Sequence, residues 1–204
     1  HNGVTNDSVT SYFGMRKISV STINGVPKLL LNNQPYFEMG PLDQGFWPDG
    51  IYTAPTDAAI RNDIQVAKDF GLNLLRKHIK VEPARWYYWC DHLGMLVWQD
   101  MPSTNTYMSK TEAVPPLDKA EFESELQRMV ENLRNVPSII MWDVFNEGQG
   151  AFDYDRLTAE VKALDPTRLV SAESVGYHKG VGDVVDSHGP PTPDRCWEPN
   201  ATQA

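Results

Sequence analysis

The chain has 204 residues, of which 41% are hydrophobic, and this length suffices for one substantial core or for one domain plus a fragment. Its net charge of −9 and its isoelectric point near 5.0 argue against nucleic acid or an anionic membrane as the main partner. No apolar run is long enough to cross a bilayer, the first residues are not typical of a signal peptide, and two cysteines, Cys90 and Cys196, do not make a disulfide framework.

The first predicted element is an extended strand over residues 9–20. It does not belong to the alternating pattern that follows, so residues 1–21 are assigned to the end of a preceding β domain or to a connector from it. Residues 28–31 and 36–39 flank a turn signal, Asn-Asn-Gln-Pro at 32–35. This pattern predicts a short hairpin that leads into the first core strand.

From residue 28 onward, predicted strands and helices alternate. Capping signals and helical periodicity predict four helices, which begin near Thr56, Pro83, Asp118 and Asp153. Beyond the first core strand, short apolar runs predict strands at 72–78, 95–99, 138–145, 168–172 and 184–187. A proline-rich, irregular tail follows Gly189.

Repeated strand–helix units imply a parallel sheet with helices outside it, either doubly wound or closed as a (β/α)8 TIM barrel. The sequence has no glycine-rich dinucleotide fingerprint and no phosphate loop, whereas polar residues follow strand after strand, which is typical of a barrel. We therefore predict an α/β fold, with a TIM barrel over residues 22–204. About six strands are present, so the barrel is expected to be incomplete, because a full one usually needs about 250 residues.

The chemistry-bearing signal is the pair Asn146-Glu147, which ends a strand expected to be buried on both faces. In this position the pair suggests a carboxylic acid for proton transfer, with an amide beside it to hold a substrate hydroxyl. The alternative is a glutamate that caps a helix or pairs with a basic residue. Trp142 and Phe145 are expected to supply apolar surroundings for the acid.

Two other features leave alternatives open. The long loop at 40–55 carries Trp47 and Tyr52, which form either a platform for a sugar ring or ordinary loop packing. Cys90-Asp91-His92 matches no zinc spacing and lies on a predicted outer helix, so no metal site is expected.

Five motifs occur in order along nearly the whole chain. They are Ser-Tyr-Phe-Gly-Met-Arg-Lys-Ile within 9–20, Leu-Asn-Asn-Gln-Pro-Tyr-Phe-Glu-Met-Gly at 31–40, Asn-Leu-Leu-Arg-Lys-His at 73–78, Cys-Asp-His-Leu-Gly-Met-Leu-Val-Trp-Gln-Asp at 90–100, and a run ending in Phe-Asn-Glu-Gly at 137–148. Together they resemble glycoside hydrolase family 2, whose retaining exo-enzymes include β-galactosidases, β-glucuronidases and β-mannosidases. The first motif resembles the link from that family's immunoglobulin-like sandwich to its catalytic barrel.

The resemblance implies roles for particular residues. Glu147 would be the general acid/base, Asn146 would bind the sugar 2-hydroxyl, and Arg76 would border the site and help to hold the nucleophile. Arg76 also has a structural alternative, an ion pair under the barrel mouth. Four further residues are predicted to bind substrate, against the alternatives of a satisfied loop histidine, a helix cap or core packing: His78, Asp100, Trp142 and His188.

The chain departs from the family pattern in two places. Many members have a histidine three residues after the strand-two arginine, whereas His78 comes two after Arg76. The family nucleophile is a second glutamate on strand seven, and no such motif appears up to residue 204. Glu198, in Cys-Trp-Glu-Pro-Asn, does not match it. The nucleophile is therefore expected beyond this chain.

The implied function is retaining, exo-acting hydrolysis of terminal β-linked sugars, β-galactosides foremost, with a carbohydrate substrate and no cofactor. The expected protein partners are the missing strands or neighbouring domains of the full-length enzyme. A periplasmic or extracellular location is favoured. One alternative is a catalytically incomplete barrel that binds carbohydrate or scaffolds a partner. Another is an endo-acting hydrolase of a related barrel family, against which the segment at 9–20 argues.

Overall fold

The computed structural model describes residues 3, 7–103, 118–147, 151–174, 180–184 and 186. Within this part, a small antiparallel sheet precedes a parallel sheet, and one helix lies between each pair of consecutive parallel strands. None of the described helices is long and apolar enough to cross a membrane.

The antiparallel sheet has three strands, β1 (Ile18–Ile23), β2 (Val26–Leu31) and β3 (Gln34–Pro35). Asn24 and Gly25 join the first two at φ values of 53° and 80°, which suits a tight hairpin turn. The predicted strand at 9–20 is wrong in its extent. Residues 7–17 carry no strand, because only the chain from Ile18 onward has a pairing partner in β2. The predicted domain boundary after residue 21 falls inside β1 and stays a prediction.

The parallel sheet has five strands in the described part of the chain, in sequential order. They are β4 (Leu42–Asp43), β5 (Leu74–Lys77), β6 (Leu96–Asp100), β7 (Ile139–Phe145) and β8 (Leu169–Glu173). The predicted sixth strand at 184–187 is not seen in its two described residues, Val184 and Asp186. The chain instead turns back at Gly182, which forms an antiparallel bridge with Ser171 of β8.

Four helices in the described residues cover one face of this sheet: α1 (Asp57–Asp69), α2 (Ala84–Leu93), α3 (Lys119–Leu133) and α4 (Tyr154–Leu164). The predicted caps of two are confirmed, because the Thr56 side chain accepts from Ala59 N and the Asp118 side chain accepts from two backbone N–H groups of α3. Gly94 ends α2 in a left-handed conformation. The main hydrophobic core lies between these helices and the sheet.

A second apolar cluster lies on the other face of the sheet and includes Leu74, Ile140 and Leu169. Ile18 and Leu29 of the hairpin pack against it, so the hairpin covers the end of the sheet where the strands begin. The opposite end, where the strands finish, is therefore left for polar groups.

Candidate active site

The carboxyl ends of β5 to β8 bring together side chains that are far apart in sequence. Because the strands are parallel and in sequential order, Arg76, Asp100, Asn146 and Glu147 reach the same edge of the sheet. A cavity of about 350 Å³ opens at this edge. Its wall includes four predicted site residues together with Glu38 and Trp98: Arg76, His78, Asn146 and Glu147.

Arg76 is the hub of this site. Its guanidinium donates to both carboxylate oxygens of Asp100, from Nε at 3.0 Å and from Nη2 at 2.8 Å. Nη2 also donates to Asn146 Oδ1 at 2.9 Å and lies 3.4 Å from Asp143 Oδ2. Burial by itself lowers the pKa of Arg76, but the charges of Asp100 and Asp143 outweigh it and raise that pKa. One side chain thus ties β5 to β6 and β7.

Asp143 is a site residue that the sequence reasoning missed. It is almost fully buried, and its Oδ1 has no hydrogen-bond partner among the described residues. Burial raises the pKa of the Asp143 carboxyl well above its usual value, and the nearby charge of Asp100 raises it further. Burial also raises the pKa of Asp100, against the opposing effect of Arg76. An aspartate inside an otherwise apolar strand is the signal that would have found it.

Asn146 and Glu147 lie where β7 ends. Asn146 is buried, and its Oδ1 accepts hydrogen bonds from Arg76 Nη2 at 2.9 Å and from Ser174 Oγ at 3.1 Å. Glu147 is half-buried, has a φ of 49°, and donates its backbone N–H to Ser174 Oγ at 2.9 Å. Ser174 was also missed, because a serine after a strand carries no distinctive sequence signal.

His78, which follows β5, lines the same cavity, and its contact with substrate stays a prediction. Its backbone N–H donates to Asp43 O at 3.0 Å, which fixes the chain where β5 leaves the sheet. Burial lowers the pKa of the imidazole, although the charge of Asp100 acts in the opposite direction.

Trp142 is a correction, because the structure does not bring it to this cavity. Its side chain is fully buried in the core between the sheet and the helices, where Nε1 donates to Asp165 Oδ2 at 3.1 Å. Side chains alternate across a strand, so when Asp143 faces the site, Trp142 faces the helices. Its predicted contact with substrate is therefore withdrawn.

Two further candidates from the sequence are His188 and Tyr52. His188 lies outside the described residues. Tyr52 is about half exposed and packs on Phe46 with ring centroids 5.4 Å apart. The described residues contain no group of three or more histidine, cysteine, aspartate or glutamate side chains that could hold a metal ion.

Comparison with known proteins identifies the family. A family model described as "Glycosyl hydrolases family 2, TIM barrel domain" matches residues 53–189. The chain belongs to glycosyl hydrolase family 2. The predicted family and the predicted barrel class are thereby confirmed, and the five parallel strands with their helices form part of that barrel.

Relatives of this family 2 chain include a β-galactosidase 2 of Enterobacter cloacae, which is 32% identical over 177 residues, and a β-galactosidase of Pectobacterium atrosepticum, which is 30% identical over 175. Each alignment covers 84% of this chain and 16% of the relative. The chain thus spans about a sixth of the length of these relatives.

Solved structures share the fold. A family 2 member from Bacteroides cellulosilyticus has a TM-score of 0.61 at 30% identity, and covers 78% of this chain and 21% of its own. A β-glucuronidase from Parabacteroides merdae has a TM-score of 0.62 at 21% identity, over 82% of this chain and 22% of its own. An exo-β-D-glucosaminidase has a TM-score of 0.68 at 20% identity, over 93% of this chain and 23% of its own. The last two show the fold alone.

Proposed function

We propose that this chain carries the acid/base half of the active site of a retaining glycosidase that removes terminal β-linked sugars. The observation that carries the proposal is the position of Glu147 on the wall of the cavity, directly after β7. Its neighbour Asn146 is anchored there by Arg76. Family membership supports the same assignment, because the residues that match the TIM barrel domain of a glycosyl hydrolase family, 53–189, include Glu147.

Glu147 would act twice in each turnover. Retaining hydrolysis uses two carboxyl groups about 5–5.5 Å apart, one as acid/base and one as nucleophile. The Glu147 carboxylic acid would donate its proton to the glycosidic oxygen while the nucleophile attacks the anomeric carbon and the bond to the leaving group breaks. The Glu147 carboxylate would then take a proton from the water that attacks the same carbon and releases the sugar.

Asn146 would hold the sugar while this happens. Its Oδ1 already accepts two hydrogen bonds, so the Nδ2 group is the part that can donate to a substrate hydroxyl. Such a bond fixes the sugar ring relative to Glu147 and can strengthen in the transition state. Arg76 would contribute by holding Asn146, and Asp100 by holding Arg76. The predicted contact of Asp100 with substrate is a correction, because its side chain is fully buried and is not part of the cavity wall.

The favoured substrates are β-galactosides, and the support for them is the name β-galactosidase on two relatives at 30% identity or more. The proposed chemistry needs no cofactor. A periplasmic or extracellular location stays a prediction.

The test is hydrolysis of aryl β-glycosides by this chain and by a longer chain that continues through the rest of the barrel. Galactosides, glucuronides, glucosaminides and mannosides are each offered with a poor and a good leaving group. Replacing Glu147 by Gln is expected to lower kcat/KM on the poor leaving groups by about 10²–10⁴-fold, because only those need a proton at the oxygen. Glu125→Gln, an exposed change on α3, is the matched control.

Equal loss on good and poor leaving groups in Glu147→Gln would remove the acid/base role. If neither chain turns over any substrate but the sugar still binds, the non-catalytic binding module becomes the better assignment. The sugar of the best substrate names the specificity.

A further inference from the structure

The hydroxyl of Ser174 bridges the two residues of the Asn146-Glu147 pair. Ser174 follows β8 and is 2% exposed. Its Oγ accepts a hydrogen bond from the Glu147 backbone N–H at 2.9 Å and donates one to Asn146 Oδ1 at 3.1 Å. Its own backbone N–H donates to Phe145 O at 3.1 Å. One residue therefore contacts three consecutive residues at the end of β7.

The Glu147 backbone needs such a contact. Its φ of 49° lies in the left-handed region, which residues with a side chain rarely adopt unless the surrounding structure holds them there. This conformation directs the Glu147 N–H to the Ser174 hydroxyl and not to a neighbouring strand. The same backbone conformation sets the direction in which the Glu147 side chain leaves the chain.

The Asn146 side chain needs the hydrogen bond from the Ser174 hydroxyl for a different reason. An amide can be placed in either of two orientations, and its hydrogen bonds decide between them. Ser174 Oγ and Arg76 Nη2 both donate to the same atom of Asn146, so this atom is the oxygen and the NH2 group has the opposite direction. A hydroxyl can accept one hydrogen bond and donate another at once, as this bridge requires.

We propose that Ser174 is a positioning residue, which holds the Glu147 backbone in its left-handed conformation and the Asn146 amide in one orientation through a single hydroxyl. The proposal rests on the proposed function only in taking Glu147 as the acid/base and Asn146 as the sugar ligand. The geometry of the bridge itself is independent of that function.

Ser171 provides a matched control on the same strand. It is also 2% exposed, and its hydroxyl donates to Glu173 O at 3.1 Å without contacting either residue of the pair. Ser171→Ala therefore removes a buried, hydrogen-bonded serine hydroxyl from β8 and leaves the bridge intact. Ser174→Cys is the second variant, since a thiol of similar size is only a weak donor and acceptor.

The first measurement is amide hydrogen exchange of this chain, resolved at Glu147. Ser174→Ala is expected to speed exchange of the Glu147 amide at least tenfold, with a smaller increase in Ser174→Cys and none in Ser171→Ala. Unchanged exchange at Glu147 in Ser174→Ala overturns the proposal, as does an equal increase over all of β7 and β8. If Ser174→Ala does not fold, unchanged Glu147 exchange in Ser174→Cys decides against the bridge.

The second measurement separates positioning from a structural role. In the longer chain, Ser174→Ala is expected to lower kcat/KM about tenfold more on poor than on good leaving groups, because kcat/KM reports the first step, in which a misplaced acid matters only when the leaving oxygen needs a proton. Equal losses of kcat/KM, or none, overturn the positioning role while leaving Glu147 as the acid/base. If Glu147→Gln itself shows no leaving-group dependence, the proposed function fails, and the exchange result still decides whether the bridge exists.

Discussion

The guanidinium of Arg76 and the carboxylate of Asp100 face each other in a two-point contact, with Nε–Oδ1 and Nη2–Oδ2 distances of 3.0 and 2.8 Å. Asp100 is fully buried and the Arg76 side chain is 15% exposed, so solvent screens this pair less than it screens a surface ion pair. The contact joins β5 to β6 directly beneath the cavity, so it bears on the stability of the sheet as well as on the site.

Arg76→Ala is expected to destabilise the fold by about 3–5 kcal/mol, because it leaves two buried carboxyls, Asp100 and Asp143, without their cation. The free energy of unfolding in urea measures this loss. Arg128→Ala, which breaks an exposed pair on α3, is the control and should change stability by less than about 1 kcal/mol. Equal effects of the two substitutions would contradict the buried pair.

Glu38 is expected to make stability fall as the pH rises. Burial raises its pKa from 4.5 to about 7, against the opposing effect of a hydrogen bond from Trp98 Nε1 at 2.9 Å. The folded state therefore holds the proton more tightly than the unfolded state does. The resulting stabilisation is complete below pH 4.5 and is lost as the pH rises through about 7.

Unfolding in urea at several pH values between 4 and 8 tests this expectation. Glu38→Gln should make the decrease in stability over that range smaller, whereas the exposed control Glu125→Gln should leave it unchanged. An unaltered slope in Glu38→Gln would show that the decrease comes from another group.

Arg16 is expected to hold the N-terminal segment to the end of the parallel sheet. Its guanidinium donates to the carbonyl oxygens of Pro137, Thr167 and Ile139 at 3.0, 3.0 and 2.6 Å. Arg16→Ala should cost about 2–4 kcal/mol, because partly buried carbonyls lose a charged donor. Thermal unfolding measures this, with Lys17→Ala as the control, since the Lys17 side chain makes an exposed contact with Asn33 and the backbone bonds of Lys17 to Asn32 are kept in the variant. A loss no larger than that of the control would refute the role.

Two buried serines, Ser138 and Ser171, are expected to change the stability differently when each is replaced by alanine. Ser138 Oγ has no hydrogen-bond partner among the described residues, whereas Ser171 Oγ donates to Glu173 O. Ser138→Ala should therefore be neutral or slightly stabilising, and Ser171→Ala should cost about 1 kcal/mol. Urea unfolding of both variants under one condition checks the difference, and a larger cost in Ser138→Ala would mean that its hydroxyl has a partner.

Much of the site could be predicted because parallel strands bring their carboxyl ends to one edge. Arg76, Asp100 and the Asn146-Glu147 pair each follow or end an apolar run, and that local position was enough to place them together. The predicted contact of Trp142 with substrate was wrong, because position along a strand does not say which face of the sheet a side chain occupies. Every residue of β7 is buried, so the burial pattern of the strand carries no information about which side chains face the helices.

The hairpin of β1 and β2 shows a second limit of prediction from the sequence. Asn24-Gly25 is a strong local turn signal, yet the predicted strand at 9–20 stopped short of it and began well before the observed start of β1 at Ile18. A strand exists only where a partner supplies hydrogen bonds, and extended character at 9–17 has no such partner in the described structure. Pairing is a property of two segments, so propensity in one of them does not set its limits.

The sequence by itself determined the order of strands and helices, the family, and the identity of the pair that ends β7, because periodicity, caps and motifs are local. Only the tertiary structure decided that Asp143 faces Arg76, that Glu38 reaches Trp98, and that the Ser174 hydroxyl lies between Asn146 and Glu147. Each of these contacts joins residues at least 27 positions apart, and packing sets their distances. Hydrogen bonds act over about 3 Å, so their partners follow from the packed backbone and not from the sequence pattern.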